Sequence, residues 1–257
     1  MTLEGRVALV TGGGRGIGRA IALGLAEDGA SVAICYRRDE AAAVETVEAI
    51  ERLGRRARAF AASVDRYEDD RRLVEAVVAA LGPVDVLVHN AGIASRGNSV
   101  EKTDPAELER VLRTHALGAH HLCQLVLPGM KTRPRGDIVM ISSAATLQMA
   151  PGGAPYNMAK AALEALAYTL AREVRHRGIR VNVVAPGLVD TEMGVRLARA
   201  TMGVDDIREL DARMPFGRVC RPDDVANAVR FLVSDRGAYV TGEKINVNGG
   251  EPGGARA

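Results

Sequence analysis

The stretch "RVALVTGGGRGIGRAIALGLAEDGA", Arg6 to Ala30, decides how the rest of the chain is read. Its opening apolar run predicts a short buried strand, and from Gly16 onward the apolar residues recur at helical spacing. Between the two lie Gly12, Gly14, Gly16 and Gly18, with Arg15 and Ile17 among them. Glycines at this position let the backbone turn tightly and bring its N–H groups close to a ligand, and the helix that follows offers the positive end of its dipole. A strand, a glycine turn and a helix in this order predict a cradle for the pyrophosphate of a dinucleotide, where a glycine triplet alone would say little.

Working outward, short β-branched runs alternate with longer helical patterns: "SVAICY", "DEAAAVETVEAIERLG", "RARAFAA", "DDRRLVEAVVAALG" and "VDVLVHNAG". A long helical stretch around "PAELERVLRTHALGAHHLCQLVLPGM" comes next, then strands "DIVMIS", "IRVNVVAP" and "EKINVNG", with the helix bearing "PYNMAK" between the first two. This alternation predicts βαβ units and an α/β fold: a single doubly wound, Rossmann-type domain over residues 1–257, with a seven-stranded parallel sheet and helices on both faces. Residues 188–220 interrupt the pattern. They read either as a surface excursion or as a lid over the carboxyl ends of the strands, mobile when free because no strong cap or strand signal is visible.

Composition narrows the function classes. The chain has 257 residues, 47% hydrophobic and 26% charged, and 34 basic against 32 acidic side chains give a formal net charge of +2. That balance supplies no overall attraction to nucleic acid or to an anionic membrane. The three cysteines, Cys35, Cys123 and Cys220, are too few and too scattered for a disulfide framework or a Cys-x-x-Cys metal site, and suit a reducing compartment. No metal is expected. No run approaches the roughly 18 apolar residues of a membrane span, and the N-terminus lacks a signal-peptide core, so the expected location is cytoplasmic.

The second strand ends in Tyr36, Arg37 and Arg38, where a site for NAD would usually offer a carboxylate to the ribose 2′-hydroxyl. Guanidinium groups at this point, joined by Arg15, suit a 2′-phosphate and so favour NADP(H); the alternative is that they are solvated surface charges. On the later helix, Tyr156 and Lys160 stand one turn apart on one face. A surface Tyr and an exposed Lys would be the ordinary reading of that pair by itself.

In order and spacing, Thr11-Gly12-x-x-x-Gly16-x-Gly18, "HNAG" (His89 to Gly92), Ser143, Tyr156-x-x-x-Lys160 and "PGLVDT" (Pro186 to Thr191) resemble the short-chain dehydrogenase/reductase family. The likeness spans Gly5 to Gly250 and is greatest to the 3-oxoacyl-carrier-protein reductase group. It implies hydride transfer between NADP(H) and a small-molecule carbonyl or alcohol. Tyr156 would be the general acid/base, with Ser143 hydrogen-bonding the substrate oxygen and Lys160 both lowering the phenol's pKa and reaching the nicotinamide ribose. It further implies that Asn90, Ala91 and Gly92 lie under the adenosine, that Pro186, Gly187, Val189 and Thr191 lie near the nicotinamide, and that two helices pair across a two-fold axis in a homodimer or homotetramer.

Three positions depart from the family pattern. Ser63 stands where Asp or Asn commonly meets the adenine, leaving that contact to the backbone of Val64, and His89 replaces the first Asn of Asn-Asn-Ala-Gly. His115 replaces an asparagine that helps hold a water beside the active-site lysine. An imidazole in that relay would add a titration in the mildly acidic to neutral range; the plainer reading is a hydrogen-bonded helix residue. A narrower function, reduction of 3-oxoacyl thioesters on an acyl-carrier protein, would need a basic patch to which Arg133 and Arg135 could belong. A non-catalytic NADP-binding sensor or scaffold is the reading from another class.

Overall fold

A computed structural model of the chain describes residues 3–250; the outermost parts of the expected domain, 1–2 and 251–257, lie outside the described residues. Seven strands form one sheet: β1 (Val7–Thr11), β2 (Ser31–Tyr36), β3 (Ala57–Ala61), β4 (Val86–His89), β5 (Gly136–Ile141), β6 (Ile179–Pro186) and β7 (Lys244–Val247). Every pairing is parallel and the order is β3-β2-β1-β4-β5-β6-β7. The order reverses between β1 and β4, which opens a crevice at the carboxyl ends of those strands, where open α/β sheets bind ligands.

Parallel strands need crossovers, and these are the helices α1 (Gly16–Glu27), α2 (Glu40–Arg52), α3 (Tyr67–Leu81), α4 (Pro105–Leu112), α5 (Gly118–Met130), the short α6 (Ala145–Gln148), α7 (Ala154–Val174), α8 (Glu192–Met202) and α9 (Pro222–Val233). Side chains alternate along each strand, so the sheet has two cores. Leu9, Leu87, Ile138, Met140 and Val183 pack beneath α3, α5 and α7. Ala8, Val10, Ile34, Val88, Val139 and Val184 pack beneath α1, α2 and α9. The doubly wound arrangement follows from this division, since each face is too apolar to be left to water. Among the described residues no helix is long and apolar enough to cross a membrane.

Three features differ from what the sequence suggests. The helical stretch from Pro105 to Met130 is not one regular helix, because Arg113–Leu117 forms a π turn between α4 and α5. Such bulges shift the side chains that follow, and here the shift buries Thr114 and His115. Arg133 and Arg135 do not form an open basic patch: Arg133 Nε donates to Asp85 at 2.7 Å, and Arg135 pairs with Asp137 and Asp235 at the amino ends of the strands. Residues 188–220 carry the caps that seemed missing. Thr191 accepts from Gly194 N at 3.1 Å to start α8, and Asp206 and Glu209 cap a 3-10 turn over Ile207–Arg213. Ala198, Ile207, Leu210 and Val219 give this excursion a small core of its own, and a bridge between Val189 and Cys220 closes its base.

Candidate active site

The glycine loop leaves β1 at Thr11 with Gly12 at φ +64° and Gly16 at φ +53°, a conformation that other residues enter at a cost. A Cβ on Gly18 would run into the Gly12 carbonyl and the Asn90 amide, so only glycine lets the helix start this close to the strand. Asn90 is itself committed to the turn, donating Nδ2–H to the carbonyls of Thr11 (3.0 Å) and Gly12 (3.3 Å). The Thr11 hydroxyl accepts from Asn90 N and Ala91 N at 3.0 and 2.9 Å. Gly14 sits against α2, accepting from Thr46 Oγ1 at 3.1 Å, and Ile17 packs onto the core below α1. The first turn of α1 has neither a side-chain cap nor an acidic residue, so its N–H groups and dipole end stay available to an anion. A pyrophosphate fits this cradle on each of these counts.

Beyond β2, Tyr36 is half-buried, whereas Arg37 and Arg38 are exposed and have no partner among the described residues. Arg15 is engaged differently from expectation: its Nη1 is 2.7 Å from Glu192 on α8 and 3.8 Å from Asp39. Ser63 donates to Asp65 Oδ1 at 2.7 Å, and buried Val64 presses its carbonyl against Gly118. Across the crevice, Pro186 accepts from Ala144 N at 2.8 Å, Gly187 N donates to Val247 at 3.0 Å, and Val189 is buried. The Thr191 methyl lies 3.3 Å from where a Gly16 Cβ would sit. Of the residues expected to meet the cofactor, Asn90 and Arg15 are tied to other protein groups and Val64 and Val189 are buried.

Ser143, just past β5, and Tyr156 and Lys160 on α7 meet at the same strand ends. Ser143 Oγ accepts from Ala145 N at 3.1 Å and lies near enough to the Tyr156 hydroxyl to favour its ionised form. Lys160 Nζ donates to Ile141 O at 2.6 Å and lies 5.6 Å from the centre of the Tyr156 ring. Burial holds the Tyr156 phenol above its usual 10, opposed by the Ser143 side chain, and pulls Lys160 down to about 7, opposed by the charge of Glu164. The expected depression of the phenol by the ammonium is therefore absent from this geometry. Burial is the larger influence on the phenol, and the Ser143 side chain, not the ammonium, is what opposes it.

His115 lies 1% exposed under Tyr156, edge-on, with ring centres 5.4 Å apart and planes at 84°. Its Nε2 is 2.9 Å from Ile93 O and 3.1 Å from Ile93 N, and its ring fills the space a Gly92 side chain would need. Burial first, and then the Lys160 charge, push this imidazole well below its usual 6.5 despite the Ile93 backbone, so it stays neutral across the range where a relay titration was expected. His89 is likewise brought down to about 3 by burial and Lys160, opposed by the carbonyls of Thr114 and His115. The two unusual histidines are thus neighbours joined through the π turn, which sequence spacing of 26 positions does not disclose. Thr11 opens the loop motif in the sequence but its role in holding Asn90 and Ala91 was not read from it, and Glu192 as a partner of the cradle was missed.

An open parallel sheet with a glycine cradle at its switch point, beside a Ser, Tyr and Lys set, defines a protein built for redox chemistry on a nucleotide. Comparison with known proteins agrees. The family model described as enoyl-(acyl carrier protein) reductase matches residues 12–251. An uncharacterized oxidoreductase of Methylorubrum extorquens is 42% identical over 248 residues, covering 96% of this chain and 98% of its own. A 3-oxoacyl-[acyl-carrier-protein] reductase of Staphylococcus epidermidis is 38% identical over 244 residues, covering 95% and 97%. The crystal structure of a short chain dehydrogenase from Burkholderia cenocepacia in complex with NADP has a TM-score of 0.86 and 37% identity, covering 97% of this chain and 99% of that one. The chain belongs to the short-chain dehydrogenase/reductase family of oxidoreductases.

Proposed function

We propose that the protein is an NADP-dependent oxidoreductase that interconverts a ketone and a secondary alcohol. The observation that carries this reading is the convergence of the Ser143 and Tyr156 hydroxyls beside Lys160, at the strand ends next to the glycine cradle. Gly12, Gly16, Gly18 and the start of α1 would hold the pyrophosphate, and Arg37 and Arg38 the 2′-phosphate. NADPH, when bound, supplies the hydride that adds to the carbonyl carbon. Ser143 holds the carbonyl oxygen and Tyr156 gives it a proton, for which a phenol that stays protonated is the right starting form. Lys160, held near 7, can then pass a proton back to Tyr156. His115 serves as a neutral ring that fixes the tilt of Tyr156.

A narrower reading, reduction of 3-oxoacyl thioesters, is supported by the name of the Staphylococcus epidermidis relative, though Arg133 and Arg135 already pair with carboxylates of this chain. The family description points instead to an enoyl double bond. A panel of simple ketones, 3-oxoacyl thioesters and enoyl thioesters, followed by loss of NADPH absorbance and identification of the product, separates the three. Tight NADPH binding with no turnover across that panel would favour a sensor and overturn the reading. Residues 188–220 would act as the substrate lid, moving as a unit on their own small core. A two-fold assembly through α5 and α7, in the cytoplasm, completes the proposal; exposed Leu117 and Met158 beside those helices support the contact.

A further inference from the structure

The end of β5, the short α6, the middle of α7 and the start of β7 meet around one carboxylate that the carbonyl chemistry does not use. Glu164 Oε1 accepts from Ser142 Oγ at 2.5 Å and from Thr146 Oγ1 at 2.8 Å, and it is 2.9 Å from Lys244 Nζ. Lys244 also donates to Thr146 Oγ1 at 2.6 Å, and the Thr146 hydroxyl lies 2.9 Å from the carbonyl of Ser143. Both side chains of the ion pair are largely buried, 12% and 13% exposed. A buried pair is weak as a source of stability, since apolar side chains of equal volume often do as well. Its place therefore points to another role. The groups it touches are the turn that begins at Ser142 and carries Ser143, and Glu164 is one helical turn beyond Lys160 on α7.

We propose that Glu164, held by Lys244 and Thr146, is a positioning residue: it fixes the turn that aims Ser143 at Tyr156 and sets a negative charge one turn from Lys160. The inference rests on the reading of Ser143, Tyr156 and Lys160 as the reacting set. Lys160 is faced by Tyr156 and Glu164 from its own helix, by His89 from the end of β4 and by His115 from the π turn. The two imidazoles are neutral and the phenol is protonated, so among the described residues Glu164 is the one anion acting on the ammonium, and Lys244 shares it. Two substitutions should then act with opposite signs. Glu164→Gln keeps an acceptor for the turn but removes the anion, so Lys160 should lose its proton at a lower pH. Lys244→Met leaves the anion to Lys160 alone, so the proton should be held to a higher pH.

The test is NMR titration of isotope-labelled lysine in the cofactor-free protein, the Lys160 signal being the one lost in Lys160→Met. Opposed displacements on the order of one pH unit are expected for a charge at this range in a partly dry site. Glu164→Leu with Lys244→Met, which keeps an apolar pair in place of the ionic one, should fold and lose roughly tenfold or more in kcat through misaim of Ser143. Coincident titrations in the three proteins, displacements of the same sign, or full kcat in the double variant would overturn the proposal. If no substrate is turned over by the unsubstituted protein, the carbonyl-reductase reading fails separately, because the lysine titration does not depend on turnover.

Discussion

Lys160 is 4% exposed and held at about 7, against about 10.4 for a lysine in an unfolded chain, and this makes the fold less stable at neutral pH than it would be without the amine. The sign follows from proton counting. As pH falls from about 10 to 7, the unfolded chain takes up a proton that the native state refuses, so stability falls; as pH rises through the same window, stability returns. Between pH 7.5 and 9.5 the gain from this one group is about 2–3 kcal/mol, worth about 5–10 °C in Tm for a chain of this size. Lys160→Met retains the stem but not the titration. It also leaves the Ile141 carbonyl without its donor, a penalty of about 1–3 kcal/mol that does not vary with pH and so drops out of the slope. Urea unfolding of both proteins at several pH values in the window gives the measurement. The unsubstituted protein should rise against Lys160→Met by the amount given; parallel curves would refute the claim that the amine is buried with its proton affinity lowered.

Tyr156→Phe should lose on the order of 10²–10⁴ in kcat with NADPH binding largely kept, as measured by steady-state rates and nucleotide fluorescence. Comparison of kcat/KM with NADPH and NADH should favour NADPH, and Arg37→Asp should cut that ratio by roughly 10- to 100-fold, the worth of a charged hydrogen bond turned to repulsion; an unchanged ratio would mean that Arg37 faces only water. For His115→Asn, the pH–rate profile of ketone reduction should keep the shape of the unsubstituted protein between pH 5 and 8, because a ring held well below its usual 6.5 contributes no titration there. Loss of an inflection on that substitution would show that the ring is in the proton path.

The strands, their parallel pairing and the cradle were all legible in the sequence, since each rests on local pattern: β-branched runs, glycines between a strand and a helix, and a Tyr and Lys at helical spacing. What escaped was set by contacts between distant segments. Nothing around Arg15 in the sequence shows that Glu192 will reach it, and Glu164 reads as one more surface acid on α7 until Lys244 is brought over from β7. The π turn at Arg113–Leu117 has no composition signature, and it decides that His115 is buried under Tyr156 and therefore neutral. Burial also reversed the expected proton affinity of Tyr156, a quantity that spacing along a helix cannot contain.

The bridge between Val189 and Cys220 has a consequence for how such a chain can change. The excursion it closes leaves the scaffold and returns to it at adjoining points, about the 4.8 Å that separates paired strands. Its small core of Ala198, Ile207, Leu210 and Val219 is separate from the two cores of the sheet. Residues of that small core can therefore be recomposed without repacking the sheet, provided Thr191 and Glu192, which reach the cradle, are kept. As the substrate lid proposed above, the excursion would let substrate range drift with little effect on how the sheet is packed.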